Sequence, residues 1–232
     1  MRSALLVNLA LLTHYVIRKE GSMKKHRCLI VLLPVYILFI GFYGITNAGA
    51  QGRQVLLIAR EGSVDLSLMV TKELAVMKDL MEKSGLTVVI STSTGQELSS
   101  TSGSIKPNCK LSEIDPSEYQ GVIIACTAGG RPGHIPAEAV NIVKFMFSKV
   151  LPVAAQDGAV CILGDAGILK GKKYALHEPT FYIRDGTYSG TGVVVDGNVI
   201  TSGTCPYIVS AESPDCTAML TEKFIEMVKN VN

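Results

Sequence analysis

Short apolar runs alternate with helical stretches along most of this chain. Four runs are apolar at successive positions, as in strands buried on both faces of a sheet, and they span residues 54–59, 86–90, 121–126 and 152–156. Apolar residues recur at helical spacing over residues 65–83, 136–149, 158–169 and 212–231. The pattern predicts an α/β fold, a three-layer sandwich whose mostly parallel sheet has helices on both faces. Residues 91–104 are predicted as a loop or short hairpin, and residues 193–202 as two strands around a Gly197-Asn198 turn.

The first fifty residues do not follow this alternation. After Met23 come a basic head, an almost wholly apolar stretch over residues 28–45 and small residues that end at Ala50. This is the pattern of an export signal, with a predicted start at Met23 and cleavage after Ala50. An uncleaved membrane anchor is the alternative. In either case residues 51–232 would form one domain in the periplasm or outside the cell. Only an uncleaved leader would attach this domain to the membrane.

Charge and cysteine content narrow the classes of function. The formal net charge of +2 comes from the leader, since residues 51–232 carry sixteen basic and nineteen acidic side chains. Without a basic stripe, we expect no nucleic-acid partner. Cys205 and Cys216 bracket a loop that a disulfide could close in an oxidising compartment, although the sequence alone does not fix the pairing. No closely spaced Cys and His residues mark a zinc site, so neither a metal nor a cofactor is predicted.

The most informative segment is the apolar run before residue 157. The predicted strand over residues 152–156 bends at Asp157-Gly158 into the following helix. A sharp strand-to-helix turn among small residues is the geometry of a nucleophile elbow, a strained turn that displays one side chain. An elbow usually displays Ser or Cys, whereas this one displays Asp157. The alternative is that Asp157 only caps the helix, since an acid at a helix start accepts from free N–H groups.

Five pieces of the sequence, in order, resemble the DJ-1/ThiJ/PfpI family of the class I glutamine amidotransferase-like superfamily. They are VLLIA in the first strand, GVIIACTAGGRPG, LPVAAQDG at the elbow, AGILKGKKYALHEP and VVVDGNVITSGT. The resemblance covers about residues 54–231. It implies a flavodoxin-like sandwich and, as in many relatives, a homodimer.

The resemblance also implies which residues form the site. The reactive cysteine of the family corresponds to Asp157, and the histidine that follows it in PfpI-type proteases corresponds to Gly158. The family's glutamate on the first helix, which tunes that cysteine, falls at or near Ser67, with Asp65 as the nearest acid. By position, backbone N–H groups of Gly129, Gly130 and Gly158 would face a ligand. His177 matches a histidine found near the pocket in one branch of the family, although a structural role for this loop histidine is the alternative.

Three hypotheses follow for the elbow. The family's reactive cysteine, the histidine that follows it and the glutamate that tunes it are all replaced at the matching positions. The first hypothesis is therefore a non-catalytic protein that binds a small polar molecule such as an amine or sugar. The second is a hydrolase or deglycase-like enzyme in which Asp157 attacks and His177 activates water or moves a proton. The third is a displaced nucleophile, Cys126 or Cys161, although both occur in apolar surroundings typical of packing.

Overall fold

A seven-stranded sheet forms the centre of the protein. The structure is a computed structural model that describes residues 53–62, 66–126 and 136–231. The strands of the sheet are β1 Gln54–Ile58, β2 Thr87–Thr92, β5 Cys109–Lys110, β6 Val122–Ile124, β7 Val153–Gln156, β10 Val193–Asp196 and β11 Val199–Ser202. Their spatial order is β10, β11, β7, β6, β1, β2 and β5, and all neighbours are parallel except the antiparallel pair β10 and β11. The mostly parallel sandwich predicted from the sequence is confirmed.

Helices cover both faces of the sheet. The first helical segment, α1, has α-helical ends over Leu66–Leu68 and Ala75–Lys83 and a π-helical middle over Met69–Leu74. It shares one face with the C-terminal helix α4, Thr217–Lys229. The other face packs against α2, Ala137–Ser148, and α3, Val160–Asp165. Successive residues of the central strands enter opposite cores, which explains their continuous apolar sequences.

Smaller elements fill the connections. Two short strand pairs lie outside the main sheet, β3 Leu98–Ser100 with β4 Gly103–Ile105, and β8 Lys173–Tyr174 with β9 Thr187–Tyr188. Short 3-10 turns occur at Leu111–Glu113, Pro116–Glu118 and Asp157–Ala159. The first pair realises the hairpin predicted in residues 91–104, whereas β5, β8 and β9 are two-residue strands without a periodic signal of their own. Within the described ranges, no helix is long and apolar enough to cross a membrane.

Two helices are shorter than their periodicity predicts. The helix predicted over residues 158–169 begins with a 3-10 turn, and α3 ends at Asp165, shortly before Gly167 at φ +72°. Glycine adopts this left-handed conformation easily and ends helices. The helix predicted from residue 212 begins at Thr217, since Pro214 and a hydrogen bond from the Thr217 N–H to the Asp215 carboxylate define its start. The leader and its predicted cleavage point lie outside the described residues.

Candidate functional site

The elbow predicted from the sequence is present at Asp157. This residue follows β7 directly, opens the 3-10 turn before α3 and has a φ of +44°. Positive φ is uncommon for residues other than glycine, although aspartate and asparagine tolerate it better than most. Apolar neighbours in β7 and α3 fix the turn from both sides, because residues 153–155 and 159–160 are fully buried. The turn therefore holds the Asp157 side chain at the carboxyl edge of the sheet, where α/β folds bind ligands.

The Asp157 carboxyl group is buried and bonded to three segments of the chain. The residue is 4% exposed, and Cys126 Sγ donates to its Oδ2 atom over 3.5 Å. Backbone N–H groups of Gly158 and His177 also donate to the carboxyl group. Burial raises the pKa of Asp157, and these hydrogen bonds partly oppose the increase. Asp157 thus accepts from its own turn, as a cap would, but it also joins the ends of β6 and the loop after β8.

The buried acid on α1 is Glu73, whereas the family resemblance places the corresponding glutamate at or near Ser67. Glu73 lies in the π-helical stretch, is 3% exposed, and its Oε1 atom accepts a hydrogen bond from the backbone N–H of Cys126. Burial raises the pKa of Glu73 to about 8. Ser67 is half-buried in the first turn of α1, and its carbonyl oxygen accepts from the Thr71 hydroxyl. The chain therefore does have an acid beside the elbow, six residues later than the resemblance indicates.

One signal in the sequence could have located Glu73. The residue follows Val70 by three positions and precedes Met77 by four, so it lies on the apolar stripe of a predicted amphipathic helix. A lone acid on a buried stripe is unusual, since glutamate is almost never fully buried without a partner. Helical periodicity, without a fixed count from the first strand, therefore indicates Glu73.

Cys126 and Cys205 are the two cysteines that approach Asp157. The predicted disulfide between Cys205 and Cys216 is wrong. Cys205 and Cys216 are both free. The Cys205 thiol instead hydrogen-bonds with that of Cys126, and Cys216 Sγ donates to the carbonyl oxygen of Pro214. The Thr204 carbonyl accepts from Gln156 Nε2 over 2.8 Å, which holds the loop of Cys205 beside β7. This tether directs Cys205 toward the elbow, and a loop bracketed by two cysteines does not reveal such a tether.

The environment of each thiol argues against a displaced nucleophile. Burial raises the pKa of Cys161 to about 11, so this thiol stays protonated at neutral pH. Hydrogen bonding to Cys205 and burial both raise the pKa of Cys126, whereas the same hydrogen bond lowers the pKa of Cys205. Cys205 is therefore the thiol of the pair that ionises first. It is 1% exposed, so a substrate would need the loop to open before reaching it.

The other predicted ligand-binding residues have different outcomes. Gly158 uses its N–H on the Asp157 carboxyl group, so that donor is already engaged. His177 is exposed and contacts Asp157 through its backbone N–H, while its imidazole lowers the pKa of Asp157 electrostatically. Asp65, Gly129 and Gly130 lie outside the described residues. The described part of the site therefore consists of the side chains of Glu73, Cys126, Asp157 and Cys205.

This arrangement suits binding better than covalent attack. A buried carboxyl group with a raised pKa is stabilised by a positively charged or hydrogen-bond-donating partner. A carboxylate nucleophile must be ionised, which burial disfavours, and the exposed His177 imidazole acts on Asp157 electrostatically while the His177 backbone N–H supplies the hydrogen bond. Cys126, Asp157 and Cys205 are also a set of side chains that could hold a metal ion, contrary to the expectation from sequence spacing.

Comparisons with known proteins match this chain to one family. Residues 53–210 match the model of the DJ-1/PfpI family. A deglycase of Thermococcus kodakarensis is 26% identical over 179 residues, which cover 76% of this chain and 99% of that protein. An uncharacterized protein of Methanocaldococcus jannaschii is 28% identical over 160 residues, which cover 66% of this chain and 74% of that protein.

Solved structures show the same fold. A ThiJ/PfpI domain protein of Brachyspira murdochii superposes with a TM-score of 0.62 at 16% identity, covering 77% of this chain and 98% of the other. DJ-1beta of Drosophila melanogaster superposes with a TM-score of 0.61 at 18% identity, covering 77% of this chain and 91% of the other. At these identities the likeness concerns the fold alone.

Proposed function

Because this chain belongs to the DJ-1/PfpI family, we propose that it is an exported binding protein of that family. In this proposal its elbow binds a small cationic ligand and carries out no thiol chemistry. The ligand interacts with the Asp157 carboxylate at the carboxyl edge of the sheet. The basic head and apolar run of residues 24–45, followed by small residues, support export. A homodimer is part of the proposal and rests on the family resemblance.

The observation that supports binding is the way in which Asp157 is held. Its carboxyl group accepts hydrogen bonds from Cys126 and from the backbone N–H groups of Gly158 and His177, which fix its position. A buried carboxylate lacks water to balance its charge, so a bound cation would stabilise the ionised form. The elbow thus provides a preorganised negative group with little reorganisation on binding.

The names of the relatives favour a different activity, and the geometry argues against it here. One relative is named a deglycase, and the family resemblance implies that such chemistry uses an elbow thiol. Here the elbow has a carboxyl group, and Cys126 beside it has a raised pKa and donates to Asp157. Catalysis by Asp157 with His177 would require the exposed imidazole to reach a buried reacting group.

Turnover and binding assays test the proposal with matched variants. We expect the wild-type protein, in the presence of a chelator, to leave ester, amide and glycated substrates unchanged. Methylamine and glucosamine serve as cationic probes in isothermal titration, and Asp157→Asn should abolish their binding. Asp165→Asn is the control, because Asp165 is exposed on α3. Wild-type turnover that disappears in Asp157→Asn would contradict the proposal and support an aspartate-dependent enzyme.

A further inference from the structure

Three side chains that can ligate a metal converge around the elbow. The sulfur atoms of Cys126 and Cys205 and a carboxylate oxygen of Asp157 all lie within 4.8 Å of one another. The three residues are 3%, 1% and 4% exposed, respectively. Burial on this scale limits competition from bulk water, so it suits an ion or a small ammonium group.

The sheet brings these residues together from three adjacent parallel strands. Ile124 of β6 pairs with Ala155 of β7, so two residues later Cys126 lies beside Asp157. On the other side, Ser202 of β11 pairs with Gln156, and the loop that follows brings Cys205 to the same edge. Because the strands are parallel and neighbouring, their carboxyl ends must meet there. The cluster therefore follows from strand register and does not depend on one mobile side chain.

The separations fit tetrahedral coordination. Zinc binds cysteine sulfur at about 2.3 Å and carboxylate oxygen at about 2.0 Å, which places two such ligands about 3.5 Å apart at a tetrahedral angle. Cys126 Sγ and Asp157 Oδ2 are 3.5 Å apart. The thiols of Cys126 and Cys205 are within hydrogen-bond distance of each other, near the roughly 3.8 Å expected for two sulfur ligands. Small movements would therefore bring all three atoms onto one ion.

Hydrogen bonds from residues outside the cluster already orient each of the three metal-ligating residues. The backbone N–H of Tyr207 donates to the Cys205 sulfur, which stabilises a thiolate there, and the N–H of Ile208 donates to the Cys205 carbonyl oxygen over 2.9 Å. N–H groups of Gly158 and His177 donate to Asp157. The backbone of Cys126 is held by Glu73 Oε1. Such second contacts fix the orientation of metal ligands and add to metal affinity.

We propose that Cys126, Asp157 and Cys205 together bind one zinc ion, with the fourth coordination position open to water or a small ligand. This inference rests on the proposed function, because it specifies the cation that the elbow binds. Two sulfur ligands favour zinc over magnesium or calcium, which prefer oxygen ligands throughout. Binding breaks two S–H bonds, forms two Zn–S bonds and one Zn–O bond to the Asp157 carboxylate, and releases to solvent both thiol protons and the carboxyl proton of any Asp157 that is protonated. Three protein ligands and one water or small molecule complete a four-coordinate site.

The test is metal titration of the full-length, reduced protein. We expect one Zn²⁺ per chain, and with Co²⁺ as a spectroscopic probe we expect thiolate-to-metal charge-transfer absorption and the visible bands of tetrahedral cobalt. Loss of a residue that only hydrogen-bonds to a metal ligand already lowers metal affinity by about 10–100-fold, so Cys126→Ser, Cys205→Ser and Asp157→Asn should each weaken binding by at least roughly 100-fold. Cys161→Ser is the matched control, since Cys161 is also buried but lies outside the cluster.

Other outcomes would overturn the metal site. Zinc binding that persists in Cys205→Ser, or cobalt spectra without thiolate bands, would place the ion elsewhere. A Cys126–Cys205 disulfide that forms in the purified protein and survives mild reduction would also overturn it. Circular dichroism of each variant shows whether lost binding reflects unfolding, and a folded variant that binds normally refutes the ligand assignment. If zinc fails while amines bind through Asp157, only the metal inference falls, whereas wild-type turnover refutes the proposed function regardless of zinc.

Discussion

Replacement of Glu73 by glutamine should flatten the dependence of stability on pH. Glu73 is fully buried, and burial raises its pKa from 4.5 to about 8. Between these two values the folded protein keeps the proton while the unfolded chain releases it. The contribution of Glu73 to stability is therefore fully present below pH 4.5 and declines as the pH rises toward 8. Glutamine has no proton to lose, and its Oε1 atom can still accept from the backbone N–H of Cys126.

The size of the effect follows from the same values. Each pKa unit corresponds to about 1.4 kcal/mol, so a single fully coupled group has a slope of about 1.4 kcal/mol per pH unit inside its window. Between pH 5 and pH 7, wild type should therefore lose roughly 2–3 kcal/mol relative to Glu73→Gln. Domains are commonly stable by only 5–15 kcal/mol, so the difference is measurable. The interaction of Glu73 with Asp157 couples their titrations and broadens the window.

Urea unfolding at pH 5, 6, 7 and 8, with a chelator present, measures the difference directly. The free energy of unfolding is plotted against pH for wild type, Glu73→Gln and the control Glu222→Gln. Glu222 is exposed on α4, so its variant should follow the wild-type curve. Parallel curves for wild type and Glu73→Gln would refute the argument, because they would mean that Glu73 binds the same number of protons in both states.

Three further predictions concern packing and the thiols. Gly203→Ala should destabilise the fold by at least roughly 2 kcal/mol in urea unfolding, because a Cβ atom there would collide with the backbone of Leu176; an unchanged midpoint would contradict this. Without reduction, denatured protein should show both Cys205 and Cys216 alkylated by mass spectrometry, whereas a linked peptide pair would restore the disulfide. Phe224→Ala should lower the free energy of unfolding by about 3–5 kcal/mol, since Phe224 of α4 is fully buried against the sheet. A decrease below about 1 kcal/mol would argue against that packing.

The sequence predicts the sheet and the elbow well because both depend on local patterns. Continuous apolar runs identify β1, β2, β6 and β7, since strands buried on both faces need apolar residues at every position. The small residues around Asp157 indicate a strained turn, and its φ of +44° confirms one. Cys126 also ends a predicted strand, so its place near the pocket was an open alternative in the sequence.

The parts of the site that the family resemblance and the spacing of cysteines miss depend on local helix geometry and on distant contacts. Glu73 lies in a π-helical stretch, whose wider turn shifts the faces of the helix relative to a count from the first strand. Cys205 approaches Asp157 only because its loop is tied to Gln156, across 48 residues of sequence. Spacing along the chain favours a pairing of Cys205 with its neighbour Cys216, whereas the tether directs it elsewhere. Such contacts become visible only when the strands are placed side by side.

The left-handed backbone at Asp157 restricts which residues can occupy the elbow. At a φ of +44°, the turn accepts glycine, asparagine and aspartate most readily and rejects branched residues such as valine and threonine. The elbow can therefore hold any of these three residues with β7 and α3 unchanged. The backbone shape at this one position thus limits which side chains the site can display, and with them the chemistry available at the carboxyl edge of the sheet.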